Sequence, residues 1–162
     1  MQTFLPLATT EYTEIAKTLD NKRLFKQALE GWQILMTLLE LDPLGNYRQP
    51  KGWVNHPAVK MWRGSEMELF KYVACMNNEW LDRGYNSTLG EKLVRTIRVA
   101  LENQLIADEE AKPLWIQNPE MFEAIASSHR LALLNKDYEW YQQFDWAEDA
   151  GVRPDTYEYV WA

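Results

Sequence analysis

The chain has 162 residues, of which 46% are hydrophobic, and its eight Trp and eight Tyr can fill one sizeable core, so we predict a single domain spanning residues 1–162. It has neither an apolar run of about 18 residues nor a basic start followed by an apolar block, which argues against a membrane-spanning helix and a secretory signal and favours the cytoplasm. With one cysteine, Cys75, the chain can form no internal disulfide, and with only two His it lacks the soft ligands of a structural zinc site. We expect no metal and no cofactor. We also expect a monomer.

Two helices are predicted in the first quarter of the chain. Thr9 or Thr10 can cap a short helix that runs to about Thr18, and Asp20 can cap a second, longer helix that ends at the turn 42–45. The second helix has one broad apolar face and an opposite polar face. The apolar residues are Leu24, Phe25, Ala28, Leu29, Trp32, Leu35, Met36 and Leu39, and the polar ones are Lys22, Lys26, Glu30, Gln33 and Thr37.

Three more helices follow. Pro57, after a loop rich in Gly, Pro and Asn, suits the first turn of a third helix that Gly84 ends. Thr88 and Glu91 have the spacing of a capping box, which predicts a fourth helix over residues 88–107. Asn118 and the proline after it open a fifth helix that ends near residue 135.

The C-terminal residues 138–161 are dense in aromatic side chains but follow neither the helical nor the strand period. A strand over residues 156–161 is only weakly indicated, and one short strand makes no sheet. We therefore predict an all-α, compact domain of about four to five helices with an irregular, aromatic-rich C-terminal tail.

The net charge of −7 is distributed unevenly along the chain. Residues 17–72 contain nine Lys and Arg against six Asp and Glu, whereas residues 73–162 contain eight against sixteen. The first half therefore carries the surface that can attract a polyanion.

No phosphate-binding loop, metal-ligand cluster or Ser/His/Asp order is present, so candidate chemistry must come from less regular sets of residues. Lys26 and Glu30 lie four residues apart on the polar face of the second helix. Taken alone, this is the spacing of an exposed ion pair worth about 0.3–0.5 kcal/mol. The mostly basic surroundings of Glu30 also fit a catalytic carboxylate.

The segment 19–30 resembles the catalytic helix of the pyrimidine-dimer DNA glycosylase and abasic-site lyase family, the phage endonuclease V type. The family's pattern there is Leu-x-Asp-x-x-Leu with a Glu six residues after the second Leu. Leu19, Leu24 and Glu30 match this pattern, and Asp20 lies one position away from the expected Asp. The stretch Asn55 to Arg63 with the exit Arg-Gly-Tyr-Asn at 83–86 is similar to the family's second core helix. Residues 127–130 and the aromatic tail resemble its C-terminal part, so the likeness covers nearly the whole chain.

This resemblance implies that the backbone amine at the N-terminus attacks C1′ of a damaged nucleotide, displaces the base and forms a Schiff base. Because Gln2 is bulky and disfavours methionine removal, we expect the amine of Met1 to react. An α-amine has a pKa of about 7.7–8.0 against about 10.4 for Lys, so far more of it is unprotonated at neutral pH. Glu30 matches the catalytic carboxylate, which stabilises the cationic sugar and assists the proton removal that leads to strand cleavage.

The resemblance also implies a double-stranded, damaged DNA partner. Lys22, Arg23, Lys26, Lys60 and Arg63 are candidates for phosphate contacts, with His129 and Arg130 on the basic fifth helix. His56 is either a residue near the lesion or a cap of the third helix. Trp53 or Trp62 can stack near an extruded base, with core packing as the alternative for each.

The family has basic side chains beside the amine and beside the catalytic Glu. This sequence departs from that pattern, because Gln2, Leu29 and Gln33 occupy the corresponding positions. The sequence pI near 4.9 predicts weaker nonspecific attraction to DNA than a basic protein has, which leaves the lesion open. The substrate can be a pyrimidine dimer, another damaged base or a bare abasic site. The competing hypothesis is a noncatalytic helical protein that binds a protein partner or DNA.

Overall fold

Eight α-helices form the regular structure of the chain in a computed structural model that describes residues 1–162. They are α1 (Tyr12–Thr18), α2 (Asn21–Leu39), α3 (Pro57–Lys60), α4 (Glu66–Asp82), α5 (Leu89–Glu102), α6 (Leu114–Gln117), α7 (Pro119–Lys136) and α8 (Tyr138–Tyr141). Two 3-10 turns, over Trp53–Asn55 and Gln142–Phe144, complete the regular elements. No strand forms, and one isolated bridge joins Leu41 to Tyr47. The predicted all-α class is confirmed.

Helix α2 begins where the sequence predicts. Asp20 is its N-cap, and Oδ1 of that side chain accepts the backbone N–H groups of Lys22 at 2.9 Å and Arg23 at 3.2 Å. The other carboxylate oxygen accepts the hydroxyl of Tyr141 at 2.5 Å, which ties the start of α2 to α8. The helix ends at Glu40, whose φ of 54° leaves the right-handed region.

The main packing contact of the fold joins α2 to α4. Gly31 allows this close approach, because a Cβ added there would stand 2.6 Å from a methyl group of Val73. The buried face of α2 is turned slightly from the predicted one, since Gln27 and Ile34 are buried while Phe25 remains 46% exposed. Glu30, next to Gly31, is therefore placed at the edge of the packed face rather than on the far side of the helix.

Three boundaries differ from the predictions. The third predicted helix is two helices, because Gly64 adopts a φ of 79° and the turn around it separates α3 from α4. Helix α5 ends at Glu102 rather than near residue 107. The capping box at Thr88 does not form, and the hydroxyl of Ser87 accepts the N–H of Leu89 instead.

Short helices occupy two positions where none was predicted, α6 and α8. The other six helices correspond to the five predicted ones, because α3 and α4 together replace the third predicted helix. Beyond residue 144 the chain is irregular, as predicted, and the weak strand at 156–161 does not form. None of the helices combines the length and the apolar character needed to cross a membrane.

Candidate active site

The first six residues form an extended segment inserted between α2, α4 and α7, and residues 2–6 are buried. Side chains satisfy its backbone N–H groups one after another. Gln2 N–H donates to Oε2 of Glu30 at 3.1 Å, Phe4 N–H to Oε1 of Gln27 at 2.6 Å, and Leu5 N–H to Nδ1 of His129 at 2.9 Å. Side chains from two helices thus fix the direction in which the N-terminus points.

His129 belongs to this anchoring set rather than to a DNA-binding surface. Its side chain is fully buried, and its Nε2 lies 3.0 Å from the amide nitrogen of Gln2. Burial lowers the pKa of His129 to about 3, which keeps the ring neutral and lets Nδ1 accept a hydrogen bond from the backbone. The expected contact of His129 with DNA is therefore corrected, because no surface of the ring is open to a partner.

We expect this buried ring to make the folded state acid-sensitive. A neutral His in the folded state and a pKa of about 6.5 in the unfolded state mean that the unfolded chain binds more protons below pH 6.5. The free energy of unfolding should therefore fall as the pH drops from about 6.5 towards 3, by up to about 1.4 kcal/mol per pH unit from this residue. Urea unfolding of the wild type and of His129→Gln at several pH values measures it. Equal pH slopes for the two proteins would contradict this role.

Trp62 is also a supporting residue. The side chain is fully buried, and its indole N–H donates to the hydroxyl of Thr3 at 3.0 Å. Its ring packs edge to face on Trp115, with centroids 5.2 Å apart. The expected stacking of Trp62 on an extruded base is corrected, because the indole is enclosed by the core and the N-terminal segment.

A cleft of about 370 Å³ opens beside Met1 and Glu30. Four cationic side chains line it, and Glu30 is its one acidic residue; the cations are Lys22, Arg23, Lys26 and Lys136. The amino group of Lys26 lies 3.8 Å from Oε1 of Glu30, and Lys22 makes no ion pair. The cleft therefore combines a carboxylate, the chain terminus and a positively charged rim.

The amine of Met1 makes no ion pair with Glu30, which instead accepts the N–H of the next residue. His56 lies near both groups. Burial lowers the pKa of His56, the positive charge at the N-terminus lowers it further, and the negative charge of Glu30 raises it. The ring also caps α3, with Nδ1 accepting the N–H of Ala58 at 3.1 Å. His56 is therefore a helix cap that also lies near Met1 and Glu30.

Two of the expected DNA-binding arginines are engaged within the protein. Arg23 contacts the carboxylates of Asp20 and Asp137 at 3.4 and 3.3 Å and leaves 13% of its side chain exposed. Arg130 binds Glu148 and the backbone oxygen of Pro6, and leaves 12% exposed. Their charges are largely neutralised in place, so neither guanidinium is free to take a phosphate without losing those partners.

Lys60 and Arg63 are exposed but lie outside the Met1 and Glu30 cleft. They line a different cleft together with Lys112 and Ala162. Arg63 also donates to the backbone oxygen of Val54 at 3.1 Å. Contact of these two residues with DNA remains an expectation, and it would require a duplex that extends past the cleft at Met1.

The sequence reasoning missed four residues near the N-terminus. Lys136 and Tyr159 line the cleft with Glu30, and Arg48 and Lys51 line a second cleft that also contains Met1. The basic excess of residues 17–72 includes Arg48 and Lys51 and could have drawn attention to them. Lys136 and Tyr159 have no comparable signal, because they come from the acidic second half and reach the cleft only through the fold. No group of three or more His, Cys, Asp or Glu side chains is placed to hold a metal ion.

One comparison with known protein families gave a match. The family model described as pyrimidine dimer DNA glycosylase matches residues 1–92, which include Met1, Glu30 and His56. Searches of curated proteins and of solved structures gave no match. The likeness noted for residues 127–130 and for the tail lies outside the matched range. With more than half of the chain matched, the protein belongs to the pyrimidine dimer DNA glycosylase family, and its function is of that DNA repair type.

Proposed function

We propose that the protein is a DNA glycosylase with abasic-site lyase activity, in which the amine of Met1 is the nucleophile and Glu30 the catalytic carboxylate. One observation carries the proposal: Glu30 accepts the backbone N–H of Gln2 at 3.1 Å, which sets the adjacent N-terminus at the wall of a cleft lined by cations. The match of residues 1–92 to the glycosylase family supports the same assignment.

The chemistry requires an unprotonated amine and a means of stabilising positive charge on the sugar. The nitrogen lone pair forms a bond to C1′, the glycosidic bond breaks, and the base leaves with its electron pair and takes up a proton. Loss of a proton from nitrogen and opening of the sugar ring give the Schiff base. Removal of a proton from C2′ then expels the 3′ phosphate and cuts the strand.

Glu30 is suited to two of these steps. Its side chain is about 20% exposed, so a sugar in the cleft can approach it. Negative charge there stabilises the cationic sugar as the base departs, and the same oxygen can accept the C2′ proton or orient a water that does. The hydrogen bond from Gln2 fixes the carboxylate relative to the amine through a single residue of backbone.

Lys22, Lys26 and Lys136 are placed to bind the phosphates that flank the attacked sugar. We expect Lys22→Ala and Lys26→Ala each to weaken DNA binding and to reduce the slope of log K against log salt by about 0.9, the value for one lost phosphate contact on duplex DNA. Lys17→Ala is the matched control, because it removes an exposed lysine on α1 outside the cleft. Titrations at several salt concentrations measure the slopes, and equal slopes for all four proteins would contradict the placement.

The experiment that tests the proposed function is borohydride trapping with duplex DNA that contains an abasic site. The untagged protein should form a covalent adduct that denaturing electrophoresis resolves, and it should nick the strand when borohydride is omitted. The same assay over a panel that includes a thymine dimer and other damaged bases identifies the lesion. Absence of any adduct would leave the noncatalytic binding hypothesis.

A further inference from the structure

A third cleft, of about 380 Å³, lies where the turn between α3 and α4 meets the segment before α6; it is called the Ser65 cleft below. Three cationic side chains from different parts of the chain line it, Lys60, Arg63 and Lys112. No acidic side chain is in its lining, and none of the three cations forms an ion pair. Ala162 also lines the cleft but pairs with none of them.

The hydroxyl of Ser65 is the polar group at the inner wall of this cleft. The residue is 4% exposed, and its side chain neither caps α4 nor makes another hydrogen bond within the protein. Because no enclosed side-chain nitrogen or oxygen of the chain lacks a partner, this hydroxyl must be open to the cleft. A nearly buried hydroxyl beside three unpaired cations is a donor that a bound anion would satisfy.

Hydrogen bonds hold the walls of the Ser65 cleft in place. The indole N–H of Trp115 donates to the backbone oxygen of Met61 at 2.9 Å, which fixes the segment that carries Lys112 against the turn. The guanidinium of Arg63 donates to the backbone oxygen of Val54 at 3.1 Å. The positions that carry the cations are thus kept near one another although their like charges repel, and an anion between them would relieve that repulsion.

We infer that the Ser65 cleft binds a phosphate group, either as inorganic phosphate or as the monoester group of a small organic phosphate. A phosphate monoester has a charge of about −1.5 to −2 at pH 7 and three acceptor oxygens, which match three cations and a hydroxyl donor. The positive end of α4, a helix of 17 residues, begins at Ser65 and adds to the attraction.

The acidic residues of the first turn of α4 do not close the cleft to an anion. Glu66 accepts the N–H of Gly64 at 2.9 Å, and Glu68 is buried and pairs with Lys71 at 3.1 Å. Neither carboxylate is in the lining.

An internal phosphate of duplex DNA fits this cleft less well than a monoester does. It has one charge, two free oxygens and a sugar on either side, whereas the ligand must reach a hydroxyl that is almost buried. The segment that carries Lys112 also lies outside residues 1–92, the range that matches the glycosylase family. The inference therefore goes beyond the proposed function and does not depend on it.

Amide NMR of the full-length protein, titrated at constant ionic strength with inorganic phosphate, phenyl phosphate or dimethyl phosphate, tests the inference. The first two should shift the signals of Gly64, Ser65 and the Trp115 indole N–H saturably, and the diester should bind at least about tenfold more weakly. Tighter binding of phenyl phosphate than of inorganic phosphate would identify an organic phosphate as the ligand, and the reverse order a free anion. Diester binding as tight as that of inorganic phosphate would assign the cleft to the DNA backbone and overturn the inference.

Ser65→Ala and Lys112→Ala should each weaken phosphate binding by about tenfold or more, the effect of losing one hydrogen bond to a charged group. Ser65→Ala should leave the unfolding temperature without phosphate nearly unchanged, because the hydroxyl has no partner to lose. Arg95→Ala is the matched control, since Arg95 is an exposed, unpaired cation on α5 outside this cleft. Absence of saturable shifts around Ser65 up to about 10 mM phosphate, or equal affinity of the two cleft variants and the control, also overturns the inference.

Discussion

Glu30→Gln should nearly abolish strand scission at an abasic site, with a loss of about a hundredfold to ten-thousandfold, the range for removal of an acid–base group. Glutamine has the size of glutamate, and its carbonyl oxygen can still accept the N–H of Gln2, so the N-terminal segment should keep its position. The variant removes the negative charge and the basic oxygen from the cleft. Single-turnover cleavage of a labelled abasic duplex gives the rate.

The same variant should still form a borohydride adduct with abasic-site DNA, because the aldehyde is already present and the amine is intact. Retained trapping with lost scission would separate the role of Glu30 from that of the nucleophile. Glu14→Gln is the control, since Glu14 is an exposed carboxylate on α1 that pairs with Lys17 outside the cleft. Scission by Glu30→Gln within about threefold of wild type would remove Glu30 from the catalytic role.

The position of Glu30 was predictable because its causes are local. The cap at Asp20 fixes where α2 begins, and the helical period then assigns Glu30 to a polar strip beside Lys26. The break between α3 and α4 was not predicted, although Gly64, which adopts a positive φ there, is a local signal of it. Boundaries of this kind depend on a few neighbouring residues, which a single sequence contains.

The burial of His129 was not predictable in this way, whereas for Trp62 the structure shows core packing, one of the two alternatives that the sequence left open. Both side chains contact the first six residues, which insert between α2, α4 and α7, and the sequence contains no sign of that insertion. The ion pair of Arg130 was not predictable either, because its partner Glu148 comes from the irregular tail. A basic or aromatic residue on a predicted helix therefore indicates a DNA contact only after long-range partners have been identified.

The local charge at the two clefts beside Met1 explains how an acidic protein can still attract a phosphate there. The net charge of −7 is a property of the whole chain, whereas Glu30 is the one acidic residue in the lining of either cleft. Electrostatic attraction of a phosphate depends on the charges within about 10 Å at ordinary salt. The rim lysines Lys22, Lys26 and Lys136 can therefore act locally, while Asp137 of the second half is paired with Arg23.

Blocking the α-amine should abolish the covalent adduct with abasic-site DNA, and this is the most direct test of the nucleophile. A two-residue N-terminal extension moves the amine away from Glu30, and acetylation delocalises its lone pair into an amide that is not nucleophilic. A C-terminal tag leaves the amine unchanged and serves as the control. An α-amine is unprotonated at neutral pH to a far greater extent than lysine, so Lys22 and Lys26 should not replace it. Peptide mass spectrometry of the reduced adduct should place the sugar on Met1. An adduct that survives the extension, with the sugar on either lysine, would show that Met1 is not the reacting residue.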